Sequence, residues 1–313
     1  MKFEPPQVSV IIPTHNRLAM LREAIDSVLA QRDVTFELIV IDDGSTDGTP
    51  AFLDELTHRT SLARFERTTH RGPAAARNRG VEFARAPFVA FLDSDDLWTP
   101  SKLARQLEFM RQNRACEIAQ CQETWVRDGR RVNPGTRHLK QSGDIFLASL
   151  RTCLISNSAV MISTGLFRAL GGFDELMGAA EDYDLWLRIL VDREVGLLDE
   201  CLVTRRGGHS DQLSAMPAID RFRILALMKL LASDRLAGDR RIAVSDVLAE
   251  KCCIYGNGLR RRGNIAAADF HDRIAARAQG WRFELDPEIV SALGEMRLLL
   301  TRNAADQIAH VHE

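Results

Sequence analysis

The chain has 313 residues, of which 45% are hydrophobic and 27% charged, so it holds enough apolar side chains for a large core. This composition excludes a disordered chain, a collagen-like repeat and a disulfide-stabilised miniprotein. The 41 basic and 43 acidic residues leave a formal charge of −2, which argues against an extended nucleic-acid-binding surface but allows a local basic patch.

The sequence lacks three features that would indicate a membrane or secreted protein. No apolar run approaches the roughly 20 residues of a membrane span. The first ten residues, MKFEPPQVSV, contain no apolar stretch typical of a signal peptide. The six cysteines form no CxxC pair and are expected to be reduced thiols. We therefore predict a cytoplasmic protein whose contact with a membrane is at most peripheral.

Strand and helix patterns alternate along the first third of the chain. Apolar runs predict strands at Val8–Ile12, Phe36–Ile41, Phe65–Arg67 and Phe88–Leu92. Helices are predicted after an Asn16 N-cap, from Pro50, from Pro73 and from Thr99-Pro100. This alternation predicts an α/β fold, with a parallel sheet that has helices on both faces.

The alternation becomes less regular after about residue 115. Strands are predicted at Glu117–Val126, Arg130–Val132, Ser158–Ser163, Val195–Leu198 and Leu202–Thr204, with Asp128-Gly129 as a hairpin turn. Helices are predicted at Thr164–Leu170 and Glu181–Asp192. The polar segment 133–143 is expected to be a loop. Beyond residue 212 only helices are predicted, near 217–235, 240–262, 264–278 and 287–302, so a C-terminal helical extension follows the α/β domain.

Polar signatures follow three of the predicted strands, where an open parallel sheet binds its ligands. They are PTHNR, Asp42-Asp43-Gly44-Ser45 and Asp93-Ser94-Asp95-Asp96. Three carboxylates in four positions repel one another unless a cation or hydrogen-bond donors share the site. Mg²⁺ or Mn²⁺ shared with a diphosphate resolves that repulsion. A solvated turn with an aspartate helix cap is the alternative, and Asp-Gly-Ser is also ordinary turn chemistry.

Six short motifs occur in a fixed order: VSVIIPTHNR, ELIVIDDGSTDGT, GPAAARNRG, FVAFLDSDD, LGGFDE and EDYDLWLR. Together they resemble family 2 glycosyltransferases of the GT-A fold, over about residues 7–214. The resemblance implies a Rossmann-like, mixed, mostly parallel sheet flanked by helices. The resemblance implies an inverting enzyme that moves a sugar from a nucleotide-diphosphate donor, most often a uridine one, to a hydroxyl of a glycan or lipid-linked acceptor. It implies a catalytic domain at 1–212, with a nucleotide-sugar half up to about residue 115 and an acceptor half at 116–212. Segment 133–143 then becomes a lid, and the extension 213–313 a helical cap or a homodimer contact.

The resemblance also assigns roles to single residues. Those assigned to the nucleotide-sugar are Pro13, Thr14, Asn16, Asp42, Asp43, Arg71, Arg77, Asp93 and Asp95. Those assigned to a divalent cation, Mn²⁺ or Mg²⁺, are Asp96, Asp95 and His209. Asp182 is the implied catalytic base, with Glu181 next to it.

Two other classes of protein compete with this resemblance. A Rossmann dehydrogenase is excluded because no GxGxxG follows a strand and the strand ends carry acids instead of glycines. A catalytically inactive nucleotide-sugar-binding or interaction protein with the same fold remains the alternative. Loss of the clustered aspartates or of Asp182 would have indicated it, and all of them are present.

Overall fold

The structure is a computed structural model that describes residues 4–133, 135–208 and 219–279. These residues form two compact units. The described residues within Met1–Ile145, Thr152–Glu175 and Asp192–Ser210 form the first unit. Those within Phe146–Arg151, Leu176–Val191 and Asp211–Glu313 form the second. Segments 146–151 and 176–191 thus group with the C-terminal helices, and the functional boundary near residue 212 stays a prediction.

The elements follow the predicted alternation. The strands are β1 (Val8–Thr14), β2 (Phe36–Asp42), β3 (Ala63–Arg67), β4 (Phe88–Phe91), β5 (Leu97–Trp98), β6 (Ile118–Arg127), β7 (Arg130–Val132), β8 (Val160–Ser163) and β9 (Gly196–Gly207). The helices are α1 (Leu18–Leu29), α2 (Thr49–Arg59), α3 (Pro73–Phe83), α4 (Lys102–Gln112), α5 (Phe146–Ser149), α6 (Thr164–Ala169), α7 (Glu181–Leu190), α8 (Asp220–Ala232), α9 (Gly238–Arg261) and α10 (Ile265–Gln279). Single 3₁₀ turns lie at Thr136–His138 and Asn157–Ala159.

The nine strands of the described residues belong to one sheet in the first unit, in the order β3-β2-β1-β4-β8-β6-β9-β5, with β7 on β6. β3, β2, β1 and β4 are parallel, and β6 and β9 are parallel. The pairings of β8, β7 and β5 are antiparallel. The fold class predicted from the sequence, a mixed and mostly parallel sheet flanked by helices, is confirmed.

The central strands are buried on both faces, which explains their unbroken apolar runs. Every residue of β1 and β2 is buried. On one face Val10 belongs to a core cluster with side chains of α1, α2 and α4. On the other face α3 approaches β1 so closely that a Cβ on Gly80 would lie 2.4 Å from the Ile11 Cγ2. The sheet is therefore covered by helices on both sides, and its strand ends are what remains accessible.

The second unit is helical in its described residues. α8 packs on α7 and α9, and α9 packs on α10. The Tyr183 hydroxyl donates to the Leu150 carbonyl at 2.5 Å, which ties α7 to the segment after α5. Arg240 donates to the Leu190 and Val191 carbonyls at the end of α7, at 2.9 and 2.7 Å. The predicted helices of the extension are confirmed up to residue 279, and the one near 287–302 lies outside the described residues.

Local predictions failed in two places. The N-cap role of Asn16 is wrong: α1 has Arg17 at its N-cap position, and Asn16 Oδ1 accepts from the Thr46 N–H at 2.7 Å instead. The two short strands predicted between residues 195 and 204 form one strand, β9. The register of β9 against β6 shifts near Cys121 and Gln122, and the pairing continues beyond this irregularity.

The segment 133–143 is fixed to the sheet at its far end. Lys140 Nζ lies 3.5 Å from Glu123 Oε1 on β6 and donates to Gln120 Oε1 at 3.1 Å. Gly143 exchanges backbone hydrogen bonds with Val195 at 2.8 and 3.0 Å. The lid function of this segment stays a prediction. No helix among the described residues is long and apolar enough to cross a membrane.

Candidate functional site

Three carboxylates cluster just beyond β4. Asp93, Asp95 and Asp96 each place one carboxylate oxygen within 4.8 Å of those of the other two. Asp96 is 4% exposed, whereas the Asp93 side chain is 32% exposed. Because β4 pairs with β1 in parallel, the cluster lies at the carboxyl edge of the parallel strands. The predicted position of the acids is confirmed.

Two groups from distant parts of the chain hold the Asp96 carboxylate. Ser158 Oγ donates to Oδ2 at 2.6 Å, and the Arg206 backbone N–H donates to Oδ1 at 2.9 Å. Ser158 Oγ also accepts from the Asp93 N–H at 3.2 Å. Burial, followed by the charges of Asp95 and Asp93, raises the pKa of Asp96 well above its ordinary value. A positive charge inside the cluster would favour its ionised form.

Two arginines neutralise the other two acids. Arg77 Nη2 lies 2.6 Å from Asp93 Oδ1, and Arg17 Nη1 lies 2.9 Å from Asp95 Oδ2. Arg77 is itself buried, with its guanidinium 5.4 Å from the centre of the Phe173 ring. Guanidinium groups bind diphosphate oxygens by paired hydrogen bonds. The site therefore combines cation ligands with anion-binding groups.

The donor set fits a hard divalent cation. Three carboxylate oxygens lie within reach of one ion, and Mg²⁺ and Mn²⁺ prefer such oxygen ligands. Asp93, Asp95 and Asp96 are the residues that would hold it. His209, the further ligand implied by the resemblance, lies outside the described residues.

The acids that end β2 are engaged in hydrogen bonds to neighbouring loops. Asp42 is fully buried, and its Oδ1 accepts from the Ser45 N–H at 2.9 Å. The Asp43 oxygens accept from the Arg71 and Gly72 N–H groups, both at 2.8 Å. Asp43 thus fixes the end of the loop between β3 and α3, directly before the helix begins. The nucleotide-binding role of both acids stays a prediction.

A pair of histidines next to Asp43 was not singled out from the sequence. His70 Nδ1 lies 2.9 Å from Asp43 Oδ2, and the His70 ring stacks on His15 with 4.1 Å between ring centres. The hydrogen bond to Asp43 outweighs the effect of burial and raises the pKa of His70. The partner of Asp43 therefore lies 27 residues away in sequence, and no local motif indicates the contact.

The end of β1 joins the same edge. Thr14 pairs in register with Asp42, and Pro13 with Ile41, so all are adjacent. The Thr14 hydroxyl is buried and has no hydrogen-bond partner among the described residues. Asn16 adopts a left-handed backbone conformation with φ +50° and binds the loop after β2. The structure thus brings Pro13, Thr14, Asn16 and Asp42 together at one edge of the sheet, and their nucleotide-binding role stays a prediction.

Arg71 points to a different partner from Arg77. Its guanidinium pairs with Glu175 Oε2 at 2.6 Å. Glu175 belongs to the motif LGGFDE, and its other oxygen accepts from Asn78 Nδ2 at 3.0 Å. Arg77 therefore meets the acid cluster directly, whereas Arg71 links α3 to the segment that contains Glu175.

Asp182 lies in the first turn of α7, in the second unit. It shares that turn with Glu181 and Asp184, where the helix dipole stabilises acids. Asp184 is 2% exposed and binds Lys229 at 2.6 Å and Arg188 at 2.9 Å. Glu181 is also buried, so Asp182 is the most accessible of the three. Its assignment as catalytic base stays a prediction.

Three residues around the acid cluster were missed from the sequence. Arg17 lies in a motif that was recognised, so its spacing from the strand end offered a signal. Ser158 and Arg206 offered none, because their sequence separations from Asp96 are 62 and 110 residues. Only the sheet pairing brings them to the site.

Comparison with known proteins agrees with this geometry. A family model described as Glycosyl transferase family 2 matches residues 9–168. An uncharacterized glycosyltransferase of Rickettsia felis is 34% identical over 200 residues, covering 62% of this chain and 32% of that protein. A putative teichuronic acid biosynthesis glycosyltransferase, TuaG of Bacillus subtilis, is 42% identical over 117 residues, covering 36% of this chain and 45% of that protein. The matched region spans about a third of the Rickettsia felis protein.

A solved structure shares the fold. The Staphylococcus aureus TarS 1–349 structure in complex with UDP-GlcNAc matches with a TM-score of 0.68 at 20% identity. The match covers 97% of this chain and 92% of that one. At this identity the likeness shows the fold alone, and it confirms the GT-A architecture. Since the family model covers half of its length, the chain belongs to glycosyl transferase family 2.

Proposed function

We propose that the chain transfers a sugar from a nucleoside-diphosphate donor to a hydroxyl of a glycan or lipid-linked acceptor, with inversion at the anomeric carbon. The observation that carries this proposal is the acid cluster beyond β4, with Arg17 and Arg77 paired to two of its members. A site with both carboxylates and guanidiniums suits a cation–diphosphate complex better than either charge alone. Membership of the family supports the same reaction.

For the donor, we propose a uridine diphosphate sugar. Support comes from the TarS structure of the same fold, whose complex contains UDP-GlcNAc. The strand ends that carry Thr14, Asp42 and Asp43 offer hydrogen-bonding groups for a base and ribose. The Thr14 hydroxyl, which is buried and has no hydrogen-bond partner in the described part of the chain, is such a group.

For the cofactor, we propose Mn²⁺ or Mg²⁺ held by Asp96 and Asp95, with Asp93 beside them. When bound, such an ion supplies Lewis-acid neutralisation of the charge that develops on the diphosphate. Ser158 and the Arg206 N–H keep the Asp96 carboxylate oriented for this purpose. Arg17 and Arg77 hold the other two acids and are suited to the diphosphate oxygens.

For the chemical step, we propose Asp182 as general base. It accepts the proton of the acceptor hydroxyl while that oxygen bonds to the anomeric carbon. The bond from that carbon to the diphosphate oxygen breaks, and its electron pair leaves with the diphosphate. A single displacement of this kind inverts the configuration. The accessibility of Asp182, relative to Glu181 and Asp184, supports the choice.

The metal assignment is tested by calorimetry of UDP binding. Asp96→Asn should abolish transfer and remove the metal dependence of UDP binding. Asp54→Asn, which removes an exposed carboxylate from α2, is the matched control and should change neither. If the wild-type protein binds UDP equally well with and without Mn²⁺ or Mg²⁺, the metal assignment is wrong.

The base assignment is tested by separating binding from turnover. Asp182→Asn should keep UDP-sugar affinity and lower the transfer rate by about 10²–10⁴, as loss of a general base does. Transfer near the wild-type rate would move the role to Glu181. Slow release of UDP from the donor without acceptor distinguishes an enzyme from an inactive binding protein, which releases none.

A further inference from the structure

The β6–β7 hairpin carries an unusual concentration of positive charge. Arg127 and Arg130 flank its turn and Arg131 follows, against a single acid, Asp128. All four are exposed. None of the three arginines forms an ion pair with a carboxylate of the described residues, in contrast to Arg77 and many other arginines of the unit. This basic tip, defined as residues 127–131, therefore presents exposed guanidinium groups that no described carboxylate neutralises.

The hairpin geometry forces two of these charges together. Arg127 and Arg130 are directly opposite each other in the ladder. Asp128 and Gly129 have φ of +50° and +72°, as a type I′ turn requires, so the opposition is fixed by the turn. Side chains directly opposite have Cβ atoms about 5 Å apart, and like charges there are destabilising. An anion bound between the two guanidiniums would remove that repulsion.

Strand β9 links the basic tip to the acid cluster. Arg205 pairs with Trp125, two residues before Arg127, so both arginines are on the same face of the sheet. The Arg205 guanidinium lies over the Trp125 ring, 4.9 Å from its centre. The next residue, Arg206, donates its N–H to Asp96. From strand spacings of about 4.8 Å and 3.4 Å per residue, the Arg127 backbone lies within about 10 Å of Arg206.

We propose that the basic tip, together with Arg205, binds an anionic group of the acceptor, so that the acceptor is a glycan carrying phosphates or carboxylates along its chain. This inference rests on the proposed glycosyl transfer, since it assigns one of the two substrates. A charged glycan fits better than a bilayer because membrane-surface binding combines basic residues with exposed large apolar ones. Residues 127–131 present only Arg, Asp and Gly.

The position of the tip is well defined, as a binding site requires. A Cβ on Gly208 would lie 2.9 Å from Arg127 Cγ and from Asp128 Oδ1, so the chain after β9 packs directly against the turn. The register of β6 with β9 runs without a further shift from Glu123 to Arg127. The arginines therefore project from a fixed frame rather than from a loose loop.

The test is affinity electrophoresis of the full chain in gels that contain poly(glycerol phosphate), polygalacturonate or neutral dextran. The variant is Arg127→Gln/Arg130→Gln. The matched control, Arg111→Gln/Arg114→Gln, removes two exposed arginines of the same unit that also lack a described ion pair. We expect one or both anionic polymers to retard the wild type and the control, with affinity about tenfold weaker in the variant. Dextran should retard none of the three proteins. The anionic polymer that retards the wild type shows whether the tip binds phosphate or carboxylate groups.

Equal retardation of variant and wild type, or none at all, would overturn the inference. So would loss of binding to phosphatidylglycerol vesicles in the variant with unchanged glycan binding, which would assign the tip to a lipid surface. UDP binding with Mn²⁺ is measured on the same preparations. Its absence in the wild type counts against the proposed function, whereas intact UDP binding with unaffected polymer binding counts against this inference alone.

Discussion

Replacing Ser158 by alanine is expected to weaken Mn²⁺ binding by about tenfold to a hundredfold, even though Ser158 is not a proposed ligand. The hydroxyl donates to Asp96 Oδ2 at 2.6 Å and accepts from the Asp93 N–H at 3.2 Å, in a buried position. A hydrogen bond to a charged group contributes about 1.5–3 kcal/mol. At 1.4 kcal/mol per factor of ten, that range predicts the stated loss, which matches the effect of removing outer groups at other metal sites.

The loss should grow as the pH falls. The Ser158 hydrogen bond lowers the pKa of Asp96, which burial and the neighbouring acids raise. Without that bond the pKa rises further, and protons compete more strongly with the metal. Free Mn²⁺ can be measured by electron paramagnetic resonance in the presence of UDP, at two pH values.

Two further variants test whether Ser158→Ala acts through the orientation of Asp96 or through general damage to the fold. Ser158→Thr keeps a hydroxyl and should recover part of the affinity. Ser163→Ala removes the Oγ that accepts from the Leu166 N–H at the start of α6. It should cost about 1 kcal/mol of stability, as loss of a helix cap does, and leave Mn²⁺ binding unchanged. Unchanged Mn²⁺ affinity in a folded Ser158→Ala protein would refute the reasoning.

Three further predictions concern stability, measured by urea or thermal unfolding. The hydrogen bond to Asp43 raises the pKa of His70 above its ordinary value of 6.5, so this stabilisation is complete below about pH 6.5 and is lost as the pH rises through the folded-state pKa. His70→Gln should therefore lower the free energy of unfolding more at about pH 6 than at about pH 8.5. An equal loss of stability at both pH values would contradict this prediction. Burial lowers the pKa of Lys102 to about 7. Between about pH 7 and 10, Lys102 is therefore mostly neutral in the folded protein but protonated in the unfolded chain. Lys102→Met should raise the free energy of unfolding by about 1–4 kcal/mol, most strongly below pH 7 and least above pH 10; a loss of stability at pH 6 would count against this. Asp184→Ala should lower the free energy of unfolding by about 2–4 kcal/mol, because it removes the buried carboxylate that pairs with Lys229. An unchanged melting temperature would show that the ion pair contributes nothing to stability.

The features predicted correctly are those with a local cause. β1 and β2 are buried on both faces, so their sequences are continuous apolar runs that no surface strand would contain. The Asp128-Gly129 turn depends on two positive φ values that these residue types tolerate. The aspartates beyond β4 were placed correctly because a parallel strand delivers whatever follows it to one edge of the sheet.

The features that were missed have non-local causes. β5 has only two residues and exists because Leu97 and Trp98 pair with β9. The continuity of β9 depends on a register shift: Cys121 pairs with Leu198 but Gln122 pairs with Cys201, so β9 contains extra residues that no local pattern indicates. Likewise, nothing near Ser158 in the sequence indicates that its hydroxyl will meet Asp96. Such contacts are decided by the pairing of distant strands and not by propensity.

The hydrogen bond from the Arg206 N–H to Asp96 also sets an order of events during synthesis. The two residues are 110 positions apart, and at about 5–20 residues per second the ribosome needs roughly 5–20 s to deliver the second after the first. Until then β6 lacks its neighbour β9, and its unpaired backbone groups form an exposed edge of the kind that recruits other chains. The aspartates emerge early but are arranged late, so the nascent protein passes through an interval in which it is prone to aggregate and has no completed site.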